Sequence, residues 1–388
     1  MKFNLDKAIV DNVINKIGKI LTTNNSSIPI LNGVLIHATE QFIAFTASNG
    51  YDSILIREMV NSENGVEVLE VGAAVLPSEI FNLTKKLKPG AIEFTTNEDC
   101  TQINVKQKRT KIDFSIEQAE QFPSIASNQN PTGNFKLSAK EFEEIVKTTG
   151  FAVAKNDSRP VLQGIKFTFG LGENGLAYHA IATDSHRLAQ LQSPTPITEG
   201  AVSITIPAQS LQQAVKSFDS NDKVAIVTYT NQIALVNGNT IIYSRLLEGN
   251  YPQTDRLIPI TDSVLMLNTE EILDALELMK EMKDNGKDSA SCRLTVGTET
   301  ALLESHVPGS TSRTQQEIQV ISNTNVEEGF KIAFDVKFAL EALRTIHTKQ
   351  VKVELSGALR PFVFKNVYEA DSSKTPDALQ LILPMRTY

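Results

Sequence analysis

The chain has 388 residues, of which 41% are hydrophobic and 21% charged, a composition ordinary for a globular protein with two to four domains. Its net charge of −8 argues against a protein that holds nucleic acid by general electrostatic attraction, so any contact with DNA has to be local or topological. No targeting segment opens the chain and no apolar run is long enough to span a bilayer, which predicts a cytoplasmic protein without membrane contact.

The first part of the chain predicts two helix-plus-strands units. Residues 6–21 form a helix with one apolar face, and the segment Pro29-Ile30-Leu31-Asn32-Gly33 leads from it into alternating runs at 35–38 and 41–47 that predict strands. A turn is expected at Asn49-Gly50. A second one-faced helix at 77–88 precedes strands at 91–94, 101–105 and 111–116.

The same order recurs twice, at intervals of about 130 residues. Ser138 and Glu141 have the spacing of a capping box that opens the third helix, and Pro160-Val161-Leu162-Gln163-Gly164 repeats the Pro29 segment. Helices are also predicted at 207–218, at 269–283 with Asn268 as cap and Glu271 answering it, and at 335–347. Six helix-plus-strands units in three copies predict an α+β fold made by internal duplication.

Each copy closes on an aromatic residue or leucine followed by proline, at Phe122-Pro123, Tyr251-Pro252 and Leu383-Pro384. The first two closures precede stretches typical of domain joints. These positions predict three domains over residues 1–126, 127–258 and 259–388.

Residues 183–188, Thr-Asp-Ser-His-Arg-Leu, place several polar side chain types together after an apolar run. In an extended chain Asp184 and His186 point to one side and Ser185 to the other, which argues against a Ser-His-Asp relay. Two interpretations stay open: Asp184 and Arg187 brace a turn with an ion pair, or the stretch carries chemistry.

The remaining features exclude several kinds of site. Cys100 and Cys292 are far apart, with no CxxC or histidine spacing, which predicts unpaired thiols in strands. The five histidines show no metal-ligand spacing, and no glycine-rich loop could cradle a phosphate, so no cofactor or metal is expected.

One-faced helices must cover a sheet, so their polar faces are left to solvent or to a polar partner. Cations on a helix can reflect simple solvation and the helix dipole, but as a set they favour a phosphate-facing surface. The candidates are Lys16, Lys19, Lys85, Lys86, Lys88, Lys147, Lys216, Lys337 and Arg344.

With these motifs in place, the chain resembles the bacterial DNA polymerase III β subunits, the replicative sliding clamps. The resemblance rests on the threefold repeat, on residues 183–189, on Tyr251-Pro252 with Arg256-Leu257-Ile258-Pro259, and on Leu383-Pro384-Met385-Arg386, and it covers essentially the whole chain. It implies three tandem DNA-clamp domains, each of two helix-plus-antiparallel-sheet half-units, in a head-to-tail homodimer that forms a non-catalytic ring around duplex DNA without sequence specificity.

The resemblance also implies one pocket per subunit for short peptides of the DNA polymerase III catalytic subunit, the clamp loader and repair polymerases. Such a peptide would carry two or three apolar anchors and a glutamine-like lead residue. Carried over position by position, the pocket consists of Leu162, Thr183, Ser185, His186, Arg187, Leu188, Pro252, Arg256, Leu257, Leu381, Leu383, Pro384, Met385 and Arg386, with the three arginines at its rim.

This chain departs from the family pattern in three places. Ser185 stands where the family commonly has glycine, and Thr387-Tyr388 follow the Met-Arg pair where one apolar residue is common. The loop at 22–27 has no Arg or Lys, although family members often place a DNA-contacting arginine there, and Asn24 or Asn25 would be its replacement.

The head-to-tail arrangement predicts that a sheet edge at residues 111–116 pairs with one near 291–296 of a second copy. Two other classes remain as alternatives. An enzyme would need a convergent catalytic set, and a pure repeat scaffold would need no basic helix face; a clamp differs from both because it stays on circular DNA and runs off linear ends.

Overall fold

The computed structural model describes residues 1–21, 28–125, 130–156, 158–173, 175–282, 290–307, 311–368 and 375–386. The chain divides into two compact units, one of Met1–Glu143 with Gln209–Leu246 and one of Glu144–Ala208 with Leu247–Tyr388. Both units combine helices with antiparallel sheets, as the α+β prediction requires. No helix within the described ranges is long and apolar enough to cross a membrane.

Six α-helices lie in the described residues, and each buries one apolar face. In α1, for example, Val10, Val13 and Ile17 are almost fully buried at the spacing of a single helical stripe. The helices are α1 (Lys7–Leu21), α2 (Glu79–Thr84), α3 (Ala139–Thr149), α4 (Ala208–Ser217), α5 (Thr269–Lys280) and α6 (Val336–Leu343).

The predicted helix at 77–88 is too long at both ends. Pro77 is the last residue of a strand and pairs with Gly33, so the helix begins only at Glu79. At the other end the amide of Lys86 donates to the carbonyl of Leu83 in a tight turn that ends the helix. The last predicted turn of α6 closes in the same tight way, with the amide of Ile346 donating to the carbonyl of Leu343.

The capping box at α3 is confirmed, because the Ser138 hydroxyl accepts from the amide of Glu141 at 3.2 Å and the Glu141 carboxylate accepts from the amide of Ser138 at 2.9 Å. Asn268 also caps α5 as predicted. The reciprocal half of that second cap is wrong: the Glu271 carboxylate accepts from the amide of Gln319 at 3.0 Å.

Strands make up the rest of the regular structure in the described residues. The first repeat contains β1 (Lys2–Asp6), β2 (Gly33–Ala38), β3 (Phe42–Ser48), β4 (Asp52–Met59), β5 (Val66–Glu70), β6 (Gly72–Pro77), β7 (Ala91–Thr96), β8 (Gln102–Gln107) and β9 (Thr110–Ser115). The second contains β10 (Gly133–Ser138), β11 (Gly164–Gly172), β12 (Gly175–Thr183), β13 (Arg187–Gln192), β14 (Glu199–Pro207), β15 (Lys223–Thr228), β16 (Gln232–Asn237) and β17 (Thr240–Arg245). The third contains β18 (Val264–Asn268), β19 (Ser291–Val296), β20 (Thr300–His306), β21 (Arg313–Thr324), β22 (Lys331–Asp335), β23 (Gln350–Glu354), β24 (Phe362–Asn366) and β25 (Asp377–Ile382).

These strands form three sheets within the described residues. The first unit has a five-stranded sheet in the order β5-β1-β7-β8-β9 and an eight-stranded sheet in the order β10-β15-β16-β17-β4-β3-β2-β6. The second unit has one twelve-stranded sheet in the order β14-β11-β12-β13-β25-β24-β23-β18-β21-β20-β19-β22. The apolar faces of helices and sheets pack together in common cores. In the second unit, Phe334, Phe362 and Phe364 lie in one buried cluster with apolar residues of α5 and α6.

One pairing recurs along the chain: the second strand of a hairpin meets the last strand of the following repeat. β4 pairs with β17, with Ser53 opposite Tyr243, and β13 pairs with β25, with Leu188 opposite Leu381. The corresponding hairpin strand of the third repeat is β21, and the corresponding last strand of the first repeat is β9. Among the described residues β9 pairs only with β8, and residues 313–319 of β21 pair only with β20.

Two strand predictions are wrong. The strand at 291–296 cannot supply a free sheet edge, because β19 is already paired with β20 on one side and with β22 on the other. Cys100 does not lie in a strand but in the turn between β7 and β8, with φ of +49°. Both cysteines are free thiols, as predicted.

Candidate functional site

Residues 183–188 form a braced turn between β12 and β13. The Asp184 carboxylate accepts from the amides of His186 and Arg187 at 2.9 and 3.0 Å, and it also pairs with the Arg187 side chain at 2.9 Å. The Thr183 hydroxyl donates to the carbonyl of Arg187 at 2.6 Å and thereby closes the turn. The bracing interpretation is therefore confirmed.

Ser185 takes a left-handed backbone conformation with φ of +75°. Glycine is the residue that adopts this conformation without steric cost, and for serine the cost is about 1 kcal/mol or more. The Ser185 hydroxyl accepts from the guanidinium of Arg159 at 2.8 Å, a contact that glycine could not make. The hydroxyl is thus engaged by a cation rather than by a base.

Arg187 is buried, with 6% of its surface exposed, so its predicted position at the rim of a pocket is wrong. Its guanidinium donates to Asp184, to Glu341 on α6 and, at 2.6 Å, to the carbonyl of Phe151. It also lies 4.5 Å from the ring centroid of Phe338. These contacts satisfy a buried charge, which would otherwise be strongly unfavourable.

Apolar residues of several segments meet beside this turn. Leu188 and Leu381, which oppose each other in β13 and β25, belong to one buried cluster, and Leu162 belongs to a second. Tyr251 packs against both clusters and donates its hydroxyl to the carbonyl of Ile181 at 3.3 Å. Burial raises the pKa of Tyr251, so the ring acts as a neutral apolar wall with one polar tip.

Three apolar side chains of the predicted pocket are exposed: Leu257 at 49%, Leu383 at 37% and Met385 at 40%. The amide of Leu383 donates to the carbonyl of His186 at 2.9 Å, which fixes the C-terminal segment beside the turn. The structure thus brings the turn together with Leu381 and Leu383, and Tyr251 connects the cluster of Leu162 with that of Leu188. Of the remaining predicted residues, the structure leaves Pro252 and Pro384 half-buried and His186, Arg256 and Arg386 exposed.

Most of the predicted helix cations are exposed. Lys19, Lys85, Lys86, Lys88, Lys147 and Lys216 are exposed, and Lys337 is half-buried. Arg344 is exposed and pairs with Glu277 on α5. The predicted loop at 22–27 and the tail residues Thr387 and Tyr388 lie outside the described residues.

Lys16 does not fit the predicted DNA-facing set. It is half-buried and donates to the hydroxyl of Thr240 at 3.0 Å. Burial lowers its pKa, against the opposing effect of Glu58 and other nearby carboxylates. Its role is a contact to β17 within the first unit.

Sequence patterns did not identify several residues that build this site. Arg159 directly precedes the repeated Pro160 segment, and Tyr251 is the aromatic residue of a repeat closure. Both could therefore have been found from their positions in the internal repeat. Phe151 and Glu341 reach Arg187 through the tertiary fold, and no local pattern marks them. Among the described residues, no three His, Cys, Asp or Glu side chains converge as metal ligands would.

Comparison with known proteins gives the family. The N-terminal, central and C-terminal domain models of the DNA polymerase III beta subunit match residues 1–126, 136–253 and 255–386. The chain belongs to this family. The beta sliding clamp of Staphylococcus epidermidis is 31% identical over 395 residues that cover 100% of both chains. Two solved structures are also similar over 100% of both chains. The sliding clamp of Bacillus subtilis has 26% identity and a TM-score of 0.90, and the DNA polymerase III beta chain of Streptococcus pneumoniae has 27% identity and a TM-score of 0.88.

As a DNA polymerase III beta subunit, the protein is a sliding clamp in function: a non-catalytic subunit that gives a DNA polymerase its processivity in DNA replication. Its fold is three tandem clamp domains of helices and antiparallel sheets. The alternatives of an enzyme and of a pure repeat scaffold are wrong. The turn at 183–188 is accordingly not a catalytic set.

Proposed function

We propose that this beta subunit joins a second copy head to tail into a ring around duplex DNA in the cytoplasm. Its three domains cover residues 1–126, 127–258 and 259–388. It tethers the DNA polymerase III catalytic subunit, the clamp loader and repair polymerases through short peptides that dock beside the turn at 183–188. The observation that carries the peptide site is the apolar surface there, where Leu257, Leu383 and Met385 remain exposed next to two buried clusters.

The chemistry of this surface favours a short apolar ligand. Leu383 and Met385 are flexible side chains that can repack around different anchors, which suits a site with several partners. The exposed Arg256 and Arg386 add polar contacts beside it. Calorimetric titration with a short synthetic peptide that has a leading glutamine and leucine anchors tests this: we expect binding that is lost when the anchors become alanine, and equal heats from both peptides would contradict it.

The repeated strand pairing supports a specific subunit joint between β9 of one copy and β21 of the other. Asp113 has the same place in the pairing of β8 with β9 as Tyr243 has in the pairing of β16 with β17. Arg313 corresponds to Ser53, because each is the first paired residue in the second strand of its hairpin. Since Tyr243 lies opposite Ser53, this register sets Asp113 opposite Arg313 of the second copy. By the same register Arg109 meets Glu317, so both positions pair opposite charges.

A depression beside β21 is consistent with this joint. Its volume is about 300 Å³, and its lining includes Arg313, Thr314 and Gln315 of the free edge together with Arg293 and Glu304 of the neighbouring strands. Strand addition at a free edge satisfies backbone groups that water would otherwise cover. The contact is heterologous, since two different edges meet, and it closes after two copies if the ring forms.

For the DNA, we propose that the exposed lysines on the helices and directly after α2 face phosphates weakly while the ring holds the duplex by enclosure. Enclosure lets an acidic protein stay on DNA without base readout. The test compares nicked circular DNA with linear DNA of the same length: we expect retention on circles in moderate salt and loss from linear ends. Equal loss from both would mean ordinary electrostatic binding.

A further inference from the structure

The turn at 183–187 has a structural twin at 48–52, one repeat earlier. In the twin, the Asn49 side chain accepts from the amides of Tyr51 and Asp52 at 3.0 and 2.8 Å, as Asp184 does for His186 and Arg187. The Ser48 hydroxyl closes it onto the carbonyl of Asp52, in the way that Thr183 closes the later turn. Both turns have a left-handed third residue, Gly50 with φ of +90° and Ser185 with φ of +75°.

In both turns the last residue is buried and joined to the second helix of the following repeat. Asp52 is 5% exposed and accepts from the hydroxyl of Ser210 on α4 at 2.7 Å. Arg187 is 6% exposed and pairs with Glu341 on α6. Asp52 accepts a hydrogen bond and Arg187 forms an ion pair, yet both contacts tie the turn to the second helix of the following repeat. The contact to that helix is therefore a shared feature of how the two turns are held in place.

Arg187 is 6% exposed and its side chain is engaged inside the protein, so little of it is left for a bound peptide. Each of its guanidinium nitrogens already donates to a protein oxygen, on Asp184, Phe151 and Glu341. Two rings also lie against the guanidinium, those of Phe338 and Phe151, with their centroids 4.5 and 5.1 Å from its central carbon. Any effect of Arg187 on the peptide site therefore passes through the position of the turn.

We infer that Glu341 is a positioning residue for the partner-peptide site: from helix α6 it holds Arg187 and thereby sets the turn that presents Ser185 and His186. This inference rests on the proposed peptide site. Glu341 lies outside the apolar surface, and its side chain is 30% exposed. Asp184 is bound to the turn itself, so Glu341 is the carboxylate that ties Arg187 to another element.

The position of the turn matters because two neighbouring segments depend on it. The carbonyl of His186 accepts from the amide of Leu383 at 2.9 Å, so a displaced turn also moves the C-terminal wall. The His186 ring lies 6.3 Å from the ring of Phe338, at an angle of 25°. Ring currents make the His186 resonances a direct reporter of where the turn sits.

The test is Glu341→Gln in the full-length protein, with Glu277→Gln as matched control. Glu277 is also a helical carboxylate in an ion pair with an arginine, on α5, but that arginine is the exposed Arg344. We expect Glu341→Gln to weaken the leucine-anchored peptide about tenfold, within the range typical of coupled sites. It should also shift the His186 resonances of histidine-labelled, peptide-free protein, while Glu277→Gln changes neither quantity.

Several outcomes decide the matter. Unchanged affinity and unchanged His186 resonances in Glu341→Gln would overturn the inference, as would equal effects of Glu277→Gln. If Glu341→Gln does not fold, Glu341→Asp keeps the charge on a shorter side chain, and it should shift the His186 resonances with a smaller loss of affinity; no shift would overturn the inference. A wild-type protein that binds no peptide would contradict the proposed peptide site, whereas the His186 shift would still test the positioning role.

Discussion

The subunit joint can be tested by reversing one charge. Asp113 is exposed in β9 and accepts from the side chain of Asn104 at 2.7 Å, so Asp113→Arg removes no core contact. In the proposed register it places arginine against Arg313 of the second copy. We expect the dimer to weaken because an opposite-charge pair becomes a like-charge pair.

The size of the effect follows from exposure and from symmetry. An exposed ion pair contributes about 0.2–1 kcal/mol, and like charges at that distance cost a similar amount. Reversal therefore costs about 1 kcal/mol at each joint. A closed ring of two copies contains the joint twice, so the dimer loses about 2 kcal/mol, or about 30-fold in its dissociation constant.

Sedimentation velocity over a dilution series measures this constant directly. The double variant Asp113→Arg with Arg313→Asp restores opposite charges and should recover most of the affinity, whereas Asp99→Arg, the same charge change at an exposed turn, should have little effect. Higher salt should reduce the difference, because exposed charges are screened. An unchanged dimer in Asp113→Arg, or no recovery in the double variant, would refute the register.

Three other predictions address the tail, the lysines that follow α2 and a buried carboxyl. Removal of residues 383–388 deletes the exposed side chains of Leu383 and Met385 and two backbone bonds, from Leu383 to His186 and from Met385 to Ala333. Because no buried apolar side chain is lost among the described residues 383–386, we expect a folded dimer that stays on circular DNA but no longer binds the leucine-anchored peptide in calorimetry; undiminished affinity would place the peptide elsewhere. Lys85→Glu, Lys86→Glu and Lys88→Glu together should impair retention on nicked circles and leave the circular dichroism melting curve unchanged, because these side chains are exposed; normal retention would contradict their DNA-facing role. Burial raises the pKa of Asp52 despite hydrogen bonds from Ser210 and Ser244, so its charged form lowers the stability of the fold. This penalty is lost as pH falls through the raised folded-state pKa to the ordinary carboxyl value. Asp52→Asn should therefore flatten the pH dependence of the urea midpoint from neutral pH to about pH 4, and an unchanged slope would refute this.

The sequence predicted most of the fold because helix stripes and strand alternation are local signals. The six α-helices of the described residues were all predicted, and the capping box of Ser138 marked its helix start correctly. Helix ends were harder: the pairing of Pro77 with Gly33 in a sheet depends on a segment far away in the chain.

The peptide site stays a prediction, and the structure shows that two of its neighbouring residue roles were predicted wrongly. The mixture of polar side chains singled out residues 183–188 and the family resemblance assigned them to a pocket, but burial decides what each side chain does. Arg187 looks like a rim cation in the sequence and lies buried against Glu341, and Lys16 looks like a free helix lysine and bonds to Thr240. Both depend on tertiary contacts over more than 100 residues, which local patterns cannot contain.

The edges of β9 and of residues 313–319 of β21 have a consequence for the newly made chain before it meets a partner. A bare edge invites any other extended segment to add to it, and this is a common start of aggregation. Here β9 carries Lys111 and Asp113, while the open part of β21 carries Arg313 and Glu317, all of them exposed. Charges spaced in this way hinder strands that carry apolar side chains or the wrong charge order, so the residues proposed to close the ring would also keep an unpaired subunit soluble during its search for a second one.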